Sequence, residues 1–91
     1  MNLGQTIKMV RKEKGMSQKE LAQKSGLTCN ALCTIEKDKS FPHKNTIISI
    51  CKVLNISVGY LLLASLTEDD IPEEKLPIFR ALHEPLMKLF L

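Results

Sequence analysis

The sequence predicts an all-α fold, five short helices in one domain followed by a C-terminal helical extension, on three observations. Apolar residues recur at three- and four-residue spacing along most of the chain. Helix caps and stops punctuate that pattern at Gly15, Ser17, Gly26, Thr28, Asn55 and Ser57. Aromatic residues are scarce, with no Trp, one Tyr and three Phe, so Leu and Ile must fill the core, as in small helical domains. The 91 residues are enough for one domain and one core.

The first helix carries Leu3, Ile7 and Val10, with Arg11, Lys12 and Lys14 in its last turn and Gly15 at a left-handed stop. Ser17-Gln18-Lys19-Glu20 fits a capping box, in which the Ser17 hydroxyl accepts from the Glu20 amide and the Glu20 carboxylate reaches back to the Ser17 amide. Met16 and Leu21 have the spacing of a hydrophobic staple across that cap. Gly26 ends this second helix quickly. Thr28 then caps a third, with Leu27 and Leu32 as a second staple pair, Leu32 and Ile35 facing inward, and an end near Lys37.

Asp38 to Pro42 reads as loop, because Pro42 disfavours helix in the residue before it. Ile47, Ile50, Cys51 and Leu54 are the apolar stripe of a fourth helix that stops at Asn55, and Ser57 caps a fifth carrying Val58, Leu61 and Leu62. These elements make up a domain over residues 1–66. Thr67 to Lys75, TEDDIPEEK, reads as an acidic linker and solvated spacer. Residues 76–91 read as an apolar helical tail. Leu76, Phe79, Leu82, Leu86, Leu89 and Phe90 recur at helical spacing, with Pro85 as a kink, so the tail must cover its apolar face by packing on its own domain or across a dimer.

Composition narrows the function classes. Apolar residues are 44% of the chain and charged residues 25%, which is globular usage. Charge is unevenly placed: residues 1–60 hold ten Lys/Arg against four Asp/Glu, and residues 61–91 hold three against six. A basic first part suits a polyanion. The opening residues contain no apolar run long enough for a signal peptide, and Val58 to Ala64 is far short of the ~20 residues that span a bilayer, so a cytoplasmic location without membrane attachment is expected.

Three cysteines, Cys29, Cys33 and Cys51, form no C-x-x-C pair and are expected as free thiols. Cys51 falls on a core stripe. Cys29 and Cys33, at i and i+4, are poorly placed for an unstrained disulfide, and with His43 they lack a fourth ligand, so no metal or cofactor is expected. His43 itself can be a helix cap, a phosphate contact or neither. No phosphate loop or nucleophile–base set supports an enzyme.

The informative spacing is Leu21-Ala22, Gly26, Leu32 and Ile35. Two helices crossing steeply through a short turn need a small residue at the crossing (Ala22), a residue tolerant of positive φ in the turn (Gly26), and apolar wedges on the second helix (Leu32, Ile35). MSQKELAQKSGLT, then Ile35-Glu36, then Pro42 before Thr46-Ile47, then VLNISVGYLL, resembles the Cro and phage-repressor (XRE) class of lambda-repressor-like helix-turn-helix domains over roughly residues 3 to 63.

The resemblance implies that the third helix lies in the major groove of double-stranded DNA, usually as a homodimer on a two-fold related operator. It places Cys29, Asn30 and Thr34 at base edges, and Gln18, Thr28, Lys39, Lys44 and Asn45 where backbone contacts and bracing are usual. Chemistry supports part of this independently: Asn30 can pair with an adenine edge and Thr34 offers a hydroxyl or methyl, whereas Cys29 is a weak donor. Lys8, Arg11, Lys12 and Lys14 form either a solvated face or a further DNA-facing run. Asp38 departs from the family, which often has glycine there, and an acidic residue can weaken phosphate approach or bend the loop differently.

The expected function is a sequence-specific transcriptional regulator, a repressor because occupying a promoter needs no further contact. The rival is an antitoxin-like protein whose residues 67–91 engage a protein partner.

Overall fold

The structure, a computed structural model, describes residues 1–90, and Leu91 of the expected tail lies outside them. Among the described residues six α-helices and no strands are found: α1 (Leu3–Glu13), α2 (Gln18–Lys24), α3 (Cys29–Glu36), α4 (Lys44–Leu54), α5 (Val58–Ser65) and α6 (Leu76–Met87). The first five helices enclose one core. Leu3, Ile7, Leu21, Leu32, Ile50, Leu54 and Leu61 are almost fully buried there, and Cys51 packs among them as its place on the α4 stripe implies. Burial pushes the Cys51 thiol above its ordinary pKa, because the thiolate would be desolvated.

The punctuation read from the sequence is realised. Ser17, Thr28 and Ser57 each accept from the amide three residues on, at 3.0, 3.0 and 2.9 Å. Gly15, Gly26 and Asn55 take φ of 72°, 74° and 58° at the helix ends. The box at Ser17 is only half formed: the Glu20 carboxylate takes Lys24 at 3.1 Å, so the i,i+4 ion pair wins over the reach back to the Ser17 amide.

Asp38, in the loop after α3, is a non-glycine left-handed residue like Asn55, at φ 58°. Its carboxylate accepts from the amides of Gly4 (2.7 Å) and Gln5 (3.3 Å), so a residue 34 positions away caps α1 in place of Asn2, whose side chain makes no capping bond. The same contact explains Gly4, since a Cβ there would overlap the Ile35 carbonyl oxygen. α1 and α3 are thus locked together at the end of α3.

Residues 67–75 are ordered rather than a free spacer. Thr67 and Asp70 form a capping box around the 3-10 turn Glu68–Asp70, a second such turn spans Glu73–Lys75, and the Met1 amino group pairs with Asp70 at 2.7 Å. Glu68 binds Arg80 of α6 through both carboxylate oxygens, at 2.9 and 2.8 Å. Hydrogen bonds from the Met1 amine and from Arg80 hold the Asp70 and Glu68 carboxyls, respectively, below their ordinary pKa.

The tail folds back on α5. His83 Nε2 lies 2.7 Å from the Leu63 carbonyl oxygen, Phe79 lies against the His83 ring, and the Phe90 ring rests on Gly59, where a Cβ would be crowded at 2.9 Å. Pro85 does not end α6, which runs to Met87 before tightening into a 3-10 turn at Lys88–Phe90. Proline removes only the bond to the Ala81 carbonyl, and Ala81 is exposed, so water can serve that oxygen. Among the described residues no single helix is long and apolar enough to cross a membrane.

Candidate nucleic-acid interface

α3 has two unlike faces because its sequence alternates chemistry at helical spacing. Leu32, Ile35 and Glu36 are buried against the domain, whereas Cys29, Asn30 and Thr34 are exposed. At 100° per residue these three share one side of the helix with Cys33, which is half-buried, and Lys37, which is exposed at the helix end. Cys33 and Lys37 were not among the residues anticipated for this face. The signal was present, since they continue the i, i+4, i+8 series that starts at Cys29.

The side chains differ in what they can offer. The Thr34 hydroxyl donates to the Asn30 carbonyl oxygen at 2.9 Å, leaving its methyl and acceptor lone pairs outward. Asn30 makes no side-chain bond among those found in the described residues and keeps a full donor–acceptor pair. Thr28 spends an acceptor pair on the Ala31 amide at 3.0 Å and retains its hydroxyl proton.

α3 is held by a buried polar cluster. Glu36, with its side chain 2% exposed, accepts from Arg11 Nε at 2.8 Å and Nη2 at 3.1 Å, and from Gln18 Nε2 at 3.1 Å. Arg11 also donates from Nη1 to the Met16 carbonyl oxygen at 2.8 Å. The end of α1, the start of α2 and the end of α3 therefore meet at one carboxylate. Arg11 is thereby corrected out of the cationic run: it continues the Leu3–Ile7 stripe at i+4 and turns inward to neutralise Glu36, while Lys8, Lys12 and Lys14 stay exposed. A buried pair with every partner in place is a positioning device more than a source of net stability.

The remaining anticipated residues are distributed around α3. Gln18 is half-buried and bonded to Glu36; Lys39 is exposed in the loop after α3, its amide closing on the Thr34 carbonyl oxygen at 3.1 Å; Lys44 and Asn45 are exposed in the first turn of α4. His43 precedes α4 but its side chain does not cap it. Asp38 turns toward α1 and not toward the face that Lys39 extends, so its charge serves as a cap.

Comparison with known proteins decides the family. Residues 7–61 match the helix-turn-helix family. The chain belongs to the helix-turn-helix family. The chain is 36% identical over 62 residues to the HTH-type transcriptional regulator ImmR of Bacillus subtilis, an alignment covering 68% of this chain and 49% of ImmR. It therefore spans about half the length of that relative. The structure is similar to the N-terminal DNA-binding domain of SinR from Bacillus subtilis, with TM-score 0.62 and 41% identity over 66% of this chain and 88% of that one. A chain of the SinR protein/SinI protein complex aligns over 86% of this chain and 75% of that one, with TM-score 0.66 and 34% identity. ClgR, the clp gene regulator of Corynebacterium glutamicum, shares the fold over 94% of this helix-turn-helix chain and 92% of its own, with TM-score 0.72 and 22% identity.

Proposed function

We propose that this helix-turn-helix protein is a sequence-specific DNA-binding transcriptional regulator that represses by occupying a two-fold related operator as a homodimer. The observation that carries the reading is α3 itself, a helix whose inner face is pinned by Leu32, Ile35 and Glu36 while Cys29, Asn30 and Thr34 stand exposed along its outer face. Those outer residues read base edges in the major groove. Thr28, Lys39, Lys44 and Asn45, all exposed, serve phosphates, and Gln18 braces the end of the reading helix through its bond to Glu36. Membership of the helix-turn-helix family and the likeness to a DNA-binding domain support the same reading.

The homodimer is supported by apolar surface left uncovered. Phe41 and Ile48 are exposed beside Val58 and Leu62, and Leu62 also borders a groove shared with Leu86 and Leu89. Ile78, Leu82 and Leu86 of α6 and Leu89 in the turn after it continue that surface, with exposures of 58%, 51%, 42% and 75%. A two-fold contact through this surface covers it and presents two reading helices. The same stripe, together with the existence of a SinR/SinI complex, favours a second reading in which the C-terminal segment of an antitoxin-like protein engages a protein partner through α6.

The test is selection of binding sites from a random duplex library at two salt concentrations. Enrichment of a two-fold related motif is expected. Folded protein that enriches nothing rejects the operator reading and moves the weight to the protein partner.

A further inference from the structure

Two of the positions on the outer face of α3 hold thiols, which offer little to a base edge: a weak donor and a small soft surface. Base reading alone does not account for that choice. Cys29 is exposed and Cys33 half-buried, one helical turn apart on the same side, whereas Cys51 is sealed in the core. We propose that Cys29 and Cys33 form a two-thiolate site for a soft monovalent metal ion, Cu(I), and that loading it releases DNA.

The spacing selects the chemistry. Residues at i and i+4 on a helix have Cβ atoms about 5–6 Å apart. A disulfide needs Cβ atoms about 3.5–4.5 Å apart, so direct bridging strains the helix. A linear sulfur–metal–sulfur unit, with metal–sulfur bonds of about 2.3 Å, sets the sulfurs about 4.6 Å apart, and because the angle at each sulfur splays the Cβ atoms slightly wider, it suits that Cβ spacing. Among the described residues no group of three or more His, Cys, Asp or Glu side chains is placed to hold a metal. This disfavours four-ligand zinc and leaves soft ions content with two ligands, among which Cu(I) is a first-row metal ion that thiolates select.

On binding, two S–H bonds break and two Cu–S bonds form, both protons pass to solvent, and no electron is transferred. The pair changes from neutral to a net charge of −1. A negative charge and a metal on the groove-facing side of α3 oppose the phosphates and separate Asn30 and Thr34 from base edges. This regulatory half rests on the DNA-reading role proposed for α3; the ion site does not.

The experiment titrates the reduced full chain with Cu(I) buffered by a chromophoric competitor, and measures duplex binding before and after loading. One ion per chain is expected, with X-ray absorption showing two sulfur neighbours. Cys51→Ser should keep the site, and Cys29→Ser or Cys33→Ser should lose it while circular dichroism stays helical. Loaded protein should bind duplex DNA roughly tenfold more weakly or worse, the value of a single good base contact, and the double serine variant should ignore the ion. Affinity no better than that of glutathione at equal thiol concentration, or binding that survives in the double variant, overturns the site. An ion held at the pair with DNA affinity unchanged overturns the release. Loading at the pair in a chain that binds no duplex in either state supports the site and overturns the release through the DNA reading.

Discussion

Asn30 stands in the first turn of α3, exposed and with its amide unspent, and it carries the heaviest share of proposed base recognition. Asn30→Ala is expected to cost about 1–3 kcal/mol on the selected site while sparing non-specific binding. Competition assays that show equal losses on all duplexes would remove it from that role. Lys44, exposed at the start of α4, acts differently. Lys44→Ala should weaken every sequence alike and flatten the logarithmic salt dependence by about one unit. An unchanged slope would show that its ammonium meets no phosphate. In the proposed reading these two substitutions separate base reading from phosphate holding, and only the first is expected to change sequence preference.

Elements are joined by polar contacts between distant positions, and Asp38 is the clearest. Its carboxylate caps α1 from the end of α3, and its backbone is left-handed. Asp38→Ala loses the cap and keeps the unfavourable φ, for an expected loss of about 1–2 kcal/mol. Asp38→Gly loses only the cap and should be the milder change in urea denaturation; equal midpoints for the two would mean the φ costs nothing. The tail is tied down by Asp70 and Glu68, whose carboxyls are held below their ordinary values of 3.8 and 4.5 by the Met1 amine and by Arg80. A depressed folded-state pKa gives stability that is complete above the ordinary value and is lost as pH falls through the lowered one. Docking of α6 should therefore hold at neutral pH and loosen below about pH 4, with solvent screening keeping the effect modest. NMR chemical shifts of α6 amides during an acid titration would reveal it, and a tail equally docked at pH 3 would contradict it.

At the scale of the molecule, the proposed assembly rests on the uncovered apolar surface. Leu82→Glu places a charge in the α6 stripe and Ile48→Glu one beside Phe41, both at exposed positions where the monomer should tolerate them. If α6 carries the dimer, Leu82→Glu sediments as a monomer and loses about as much operator affinity as removal of the tail after Ser65. If the surface near Phe41 carries it, Ile48→Glu does so instead. A wild-type chain that is monomeric at micromolar concentration would reject the homodimer and favour a protein partner on the stripe.

Local chemistry in the sequence determined the helices, their caps and which residues share the outer side of α3. Ser17, Thr28, Ser57, Gly15, Gly26 and Asn55 act through bonds within a few residues, and the Cys29–Asn30–Thr34 face follows from the period of the helix. Tertiary structure decided what depends on partners far away in the chain. Arg11 looked like any surface cation until Glu36, 25 residues on, drew it into the core. Asp38 looked like a hazard to phosphate approach until Gly4 supplied the amide it caps. In the tail, Leu76, Phe79 and His83 are half-buried, with His83 bonded to α5, while Ile78, Leu82, Leu86 and Leu89 stay exposed, and helical spacing alone does not say which of these two sides the domain covers. Short-range bonds are written in neighbouring letters. Burial and long-range ion pairing depend on which surfaces the chain brings together, and that is decided only when the helices pack.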